Sequence, residues 1–143
     1  MGTKIFLDTN IILDIFDDKR IGYKDSVSLF KLVEEGIVSG FITESVITTT
    51  DYILQKNLSK KLRRVFFTEL NNLINILPCS KQSFERSLQT NFSDLEDALL
   101  YQIAMEHKID FFVTNDLAGI KKLSTSVLPA LQPKELLKIF SIK

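Results

Sequence analysis

The stretch Lys4-Ile5-Phe6-Leu7-Asp8-Thr9-Asn10-Ile11-Ile12-Leu13-Asp14 carries the first decision about the fold. Ile5-Phe6-Leu7 suits a strand buried on both faces, because a half-exposed strand would alternate apolar with polar residues. Asp8, Thr9 and Asn10 are all good N-cap residues, so the strand passes directly into a helix over Ile11 to Phe16. Four more apolar runs have the same continuous character: Gly40-Phe41-Ile42, Asn75-Ile76-Leu77, Phe111-Phe112-Val113 and Val127-Leu128.

Helical segments separate these runs. Tyr23 to Glu35 places Val27, Phe30, Leu32 and Val33 near one face, with Gly36 as a stop. Val46 to Lys56 and Ser59 to Ile74 predict two helices, and Ser80 or Ser83 starts another that runs to about Asn91. Pro78 closes the third strand. Ser93-Asp94-Leu95-Glu96 has the capping-box pattern and opens a helix to about His107. Pro133 sets up a terminal helix, Lys134 to Phe140. Strands alternating with helices imply an α/β fold with a mostly parallel sheet of about five strands and right-handed crossovers. With no repeat and no Pro/Gly-rich linker, residues 1–143 read as one domain.

Composition narrows the chemistry. One cysteine, Cys79, excludes an intramolecular disulfide and reads as a buried structural thiol. The one histidine, His107, falls late in a helix, where a surface role is expected. Lys plus Arg equal Asp plus Glu at 18 each, so there is no strong overall field to attract nucleic acid. No apolar run is long enough for a membrane span, and Asp8 and Asp14 interrupt any signal-peptide-like stretch after Met1. A cytoplasmic protein is the expectation.

In open α/β sheets ligands gather outside the carboxyl ends of the strands. Asp8 follows the first strand, Glu44 the second, and Asp116 the fourth. Asp94, Glu96 and Asp97 occupy the first turn of the late helix, with Asp94 and Asp97 on one face. Each acid alone has a plain reading as a cap, a turn residue or a partner of the helix dipole. Together they predict a site for a hard divalent cation, Mg²⁺ or Mn²⁺, because crowded carboxylates repel one another without one.

Three motifs then match a known family in order and separation. The opening Asp8-Thr9-Asn10 segment resembles the first signature of PIN domains. Phe92-Ser93-Asp94-Leu95-Glu96-Asp97-Ala98-Leu99 with Ala104 resembles their later metal-binding helix. Phe111-Phe112-Val113-Thr114-Asn115-Asp116 is similar to their closing strand and acidic turn. The resemblance implies a three-layer α/β/α domain and Mg²⁺- or Mn²⁺-dependent hydrolysis of RNA phosphodiester bonds, leaving 5′-phosphate and 3′-hydroxyl ends. It implies Asp8, Asp97 and Asp116 as catalytic, metal-binding acids, Asp94 as an accessory, and Asn10 and Thr114 as hydrogen-bonding supports. It also implies a VapC-type toxin that forms a homodimer and is silenced by an antitoxin protein.

Two departures stand out. The Glu that PIN domains carry in the helix after the second strand is replaced here by Thr49; Glu44, five residues earlier, either substitutes for it or, the reading placed first, complements the helix dipole. Gly119-Ile120 stands where the family has an Asp-Phe pair. For RNA contacts the basic run Lys56, Lys60, Lys61, Arg63 and Arg64, and the pair Lys121-Lys122, are the candidates. Alternatives are a catalytically inactive PIN-like module that binds RNA or a protein, and a receiver-like phosphoacceptor domain using Asp8 and Asp14. The latter lacks a well-placed late Lys and leaves Asp97 unexplained.

Overall fold

The computed structural model describes residues 2–140; Met1 and residues 141–143 lie outside it. Its five strands are β1 (Thr3–Leu7), β2 (Val38–Thr43), β3 (Ile74–Leu77), β4 (Phe111–Val113) and β5 (Ala130–Leu131). They form one sheet in the order β3-β2-β1-β4-β5, with every pairing parallel. Central β1 is paired on both sides, Ile5 lying between Gly40 and Phe111. Ile5, Phe6 and Leu7 are fully buried, as the unbroken apolar run requires. Phe6 stacks on Phe112, and the Tyr101 ring packs at a tilt against Phe112.

The helices are α1 (Thr9–Phe16), α2 (Tyr23–Glu34), α3 (Glu44–Leu54), α4 (Lys60–Asn71), α5 (Lys81–Leu88), α6 (Leu95–Glu106), α7 (Leu117–Ile120) and α8 (Pro133–Ile139). The connections through α1–α4 step from β1 toward β3, whereas those through α5–α7 step the opposite way toward β5. Right-handed crossovers therefore put the two groups on opposite faces. The packing agrees: α1 contacts α2 and α3, α2 contacts α8, and α6 contacts α5 and α7. Phe16 against Phe66 ties α4 to the first group. The result is a three-layer α/β/α domain.

The reversal of winding falls between β1 and β4. At such a switch point the connections leave the two strand ends in opposite directions and open a crevice between them. Asp8 lies at the end of β1 and Thr114-Asn115-Asp116 at the end of β4, so both occupy that crevice.

Several boundaries differ from the sequence expectation. The fifth strand is Ala130–Leu131, not Val127-Leu128. The Leu128 backbone is engaged by side chains, its carbonyl accepting from Tyr101 Oη at 2.5 Å and its amide donating to Thr125 Oγ1, while Val127 is exposed. Helix α4 stops at Asn71 rather than Ile74 because Ile74 pairs with Gly40. Helix α5 ends at Leu88, short of Asn91, and α3 begins at Glu44, its N-cap being Thr43. The N-cap of α6 is Asp94, not Ser93. Cys79 is exposed rather than buried. His107 is the half-buried C-cap of α6, its Nδ1 lying 3.0 Å from the Ile103 carbonyl.

Candidate active site at the sheet switch point

Asp8 is 6% exposed and makes two side-chain hydrogen bonds, one with each oxygen. Oδ1 accepts from the Ile11 amide, capping α1, and Oδ2 accepts from Thr114 Oγ1 at 2.5 Å. Burial pushes its pKa up to about 6 against the lowering effect of these donors, and the charge of Asp97 pushes the same way. Thr114 is itself fully buried, and its hydroxyl also accepts from the Asp116 amide at 2.9 Å. One hydroxyl thus fixes the Asp8 carboxylate and the backbone that carries Asp116.

Asp116 caps α7 by accepting from the Gly119 amide at 3.0 Å. A Cβ at Gly119 would stand 2.5 Å from Asp116 Oδ2, so a larger residue there would require this carboxylate to shift. Lys121 follows as the C-cap of α7.

Asp97, half-buried in the first turn of α6, is the electrostatic hub. Burial first, then the charges of Asp94, Asp116 and Glu96, raise its pKa to about 6. Asp94 caps α6 by accepting from the Asp97 amide at 3.1 Å. The structure thus brings Asp8, Asp94, Asp97 and Asp116 to one edge. No Lys or Arg is among the groups acting on Asp8 or Asp97.

Glu44 goes elsewhere. It lines a separate cavity with Ile76, Pro78, Cys79 and Ile103, and it is absent from the charges acting on Asp8 and Asp97. The carboxylate that meets Thr49 comes from α6 instead: Thr49 Oγ1 donates to Glu96 Oε2 at 3.2 Å. The sequence placed Glu96 only among first-turn acids. Its link to Thr49 spans 47 positions, and no local pattern encodes it.

Asn10 also departs from expectation. Its side-chain oxygen accepts from Arg20 at 3.4 Å, and the Asp8 carboxylate takes its hydrogen bonds from Ile11 and Thr114 instead. In the basic run, Arg63 is occupied internally, donating to Asp51 Oδ1 and to the Leu58 carbonyl, each at 2.8 Å. Lys60, Arg63 and Arg64 line a shallow depression with Phe67. Lys61 lies in the first turn of α4, and no side-chain hydrogen bond or ion pair from it is seen among the described residues.

The donor set is all oxygen and its negative charge is uncompensated, which fits a hard divalent cation. Among the described residues no three His, Cys, Asp or Glu side chains enclose an ion on their own.

An all-parallel α/β/α sandwich with an acidic centre at its switch point defines the class, and residues 4–118 match the PIN domain family model. The chain belongs to the PIN-domain family. It is 32% identical over 118 residues to Ribonuclease VapC1 of Aquifex aeolicus, covering 79% of this chain and 81% of that protein. Its fold is similar to a chain of VapBC2 from Rickettsia felis, solved bound to a promoter DNA fragment, with TM-score 0.69, 16% identity and coverage of 91% and 98%. It is also similar to VapC20 of Mycobacterium tuberculosis, a toxin that cleaves the sarcin-ricin loop, with TM-score 0.61, 11% identity and coverage of 76% and 86%.

Proposed function

We propose that this protein is a divalent-metal-dependent endoribonuclease and the toxin of a toxin–antitoxin pair. The observation that carries the reading is the uncompensated acidic centre formed by Asp8, Asp97 and Asp116 at the switch-point crevice. The similarity to Ribonuclease VapC1 supplies the substrate class, RNA.

In this reading carboxylates drawn from Asp8, Asp97 and Asp116 would hold Mg²⁺ or Mn²⁺, with water and substrate oxygens completing the coordination and Asp94 ordering the N-terminus of α6. When bound, the ion supplies positive charge for the phosphodiester oxygens and Lewis acidity for water. Thr114 fixes the Asp8 carboxylate and Asp116 backbone against thermal misalignment, a role worth more in a buried site than in water. Asp8 and Asp97 are both ionised above about pH 6 and take up protons below it. Glu96, anchored by Thr49, adds a carboxylate where the family helix after β2 would supply its Glu.

The fold neighbour from a VapBC complex supports an antitoxin partner, and a homodimer is part of the same proposal. No helix among the described residues is long and apolar enough to cross a membrane, and action on cytoplasmic RNA follows from the toxin reading. The test is cleavage of single-stranded and structured RNA with Mn²⁺ by wild type and Asp97→Asn. Cleavage by wild type alone is expected; equal cleavage by both overturns the proposal. Thr49 in place of a Glu favours a second reading, an inactive module that binds RNA or protein. Absence of calorimetric heat with millimolar Mn²⁺, alongside measurable RNA affinity, would establish that reading instead.

A further inference from the structure

We infer that the cavity beside the acidic edge, walled by Arg20, Lys19 and Lys134, is a phosphate subsite that holds the RNA strand next to the bond to be cleaved. For the identity of its ligand the inference rests on the ribonuclease reading above.

The cavity has a volume of about 660 Å³ and Asn10, Asp14, Lys19, Arg20, Asn115 and Lys134 on its lining. Its foundation is Asp14, only 3% exposed yet fully engaged. Asp14 Oδ1 accepts from Arg20 Nε at 2.7 Å, and Oδ2 accepts from Ser26 Oγ at 3.0 Å and Asn115 Nδ2 at 2.7 Å. A Cβ at Gly22 would stand 2.2 Å from Asp14 Oδ2 and 2.9 Å from Asn115 Nδ2, so a larger residue at position 22 would force this cluster to shift.

Holding the loop together does not use up the arginine. A guanidinium has five N–H donors in a rigid fork. Asp14 takes the Nε donor and Asn10 a second, at a longer 3.4 Å, which leaves three. The side chain is 34% exposed, so these donors face the cavity or solvent rather than a protein acceptor. A partly free fork oriented by a buried carboxylate is suited to a phosphate's paired oxygens. Lys19 and Lys134 add positive charge on the lining. Asp25, also on the lining, leaves the cationic side in excess: Lys19, Arg20 and Lys134 against Asp14 and Asp25.

Two lining residues join the cavity to the acidic centre along the chain: Asn10 is two residues beyond Asp8, and Asn115 lies between Thr114 and Asp116. In the proposed subsite a strand whose reacting phosphate meets the acids would set a neighbouring phosphate over Arg20. The basic run on α4 lines a separate depression to which neither Asn10 nor Asn115 contributes.

The experiment measures binding of a short fluorescein-labelled oligouridylate by anisotropy in EDTA, with cleavage by Mn²⁺-loaded protein measured in parallel. Arg20→Gln should weaken binding about tenfold, the loss of one charged hydrogen-bonding partner. A Lys19→Ala/Lys134→Ala double variant touches only exposed side chains and decides the matter if Arg20→Gln does not fold. It should weaken binding and flatten the salt dependence, by about 0.7 in log–log slope per lost phosphate contact. Asp97→Asn should bind RNA but not cleave it. Wild-type binding and cleavage by both basic-site variants would overturn the subsite and leave the ribonuclease reading standing. Binding that depends on Arg20, without cleavage by wild type, would uphold the subsite and overturn the ribonuclease reading. Failure of wild type to bind the oligonucleotide overturns the subsite.

Discussion

Thr49 Oγ1 donates to Glu96 Oε2, joining a helix on one face of the sheet to a helix on the other across the carboxyl edge. A side chain too short to reach the acidic centre thereby holds a carboxylate that acts on Asp97. Glu96→Gln should weaken Mn²⁺ affinity several-fold, and Thr49→Val, which keeps the volume but releases Glu96, should do the same to a smaller degree. Calorimetric titration checks both. Unchanged affinity in the two variants would remove Glu96 from the centre.

Asp8 should be a liability to stability. Its folded-state pKa of about 6 lies above that of an unfolded aspartate, so the folded state takes up the proton more readily. Stability therefore falls as pH rises through the window from about 4 to 6 and stays low above it. Between about pH 5 and pH 7 the loss from Asp8 is about 1–2 kcal/mol, a few degrees in Tm. Asp51 is held below the usual range by the Gln55 amide and then Arg63, and Glu106 by the Ser83 and Ser80 hydroxyls. Both lose their contribution only at lower pH. Melting in EDTA should thus occur at a higher temperature at pH 5 than at pH 7, and Mn²⁺ at pH 7 should restore the difference.

The same reasoning makes Asp8→Asn more stable than wild type by about 1–3 kcal/mol, since it removes a buried charge without changing shape. Its cleavage rate should fall on the order of a hundredfold or more. A urea melt alongside a cleavage assay checks the pair of effects, and a variant that is both less stable and fully active would refute the account.

Thr114→Val should cost about 2 kcal/mol, because it strands Asp8 Oδ2 in a buried place and removes the acceptor of the half-buried Asp116 amide. With that donor gone the Asp8 pKa rises further, so the acid limb of the pH–rate profile should move to higher pH. An unmoved limb would mean that Asp8 does not set it.

Gly119→Ala should lower activity with little change in Tm. The new methyl displaces the Asp116 carboxylate, which sits at the surface end of the crevice where the chain can adjust. Cleavage and melting measured on one preparation separate the two effects.

Much of this was legible in the sequence because the informative features are local. The buried run Ile5-Phe6-Leu7, the cap after it and the acidic turn after Phe111-Phe112-Val113 sit within a few residues of one another. What remained hidden depends on partners far apart in the chain. Val127-Leu128 has a strand's composition, yet Tyr101 takes the Leu128 carbonyl and the strand forms at Ala130–Leu131. Glu44 has the right place in sequence but opens α3 toward another cavity, while Glu96 arrives from 47 positions away. Asp14, read in the sequence only as a break in the apolar stretch and a candidate phosphoacceptor, is buried and bonded to Arg20, Ser26 and Asn115.

Asp8, Asp94 and Asp116 each begin a helix as well as standing at the acidic edge. Architecture and chemistry thus draw on the same three side chains, with different tolerances: a cap accepts Asn or Ser, whereas a cation centre needs the charge. A descendant freed from selection for cleavage would keep its shape by drifting to Asn or Ser at these positions rather than to Ala or Leu. Such amide or hydroxyl relics would mark, in sequence alone, a lineage that retained the scaffold after abandoning the reaction.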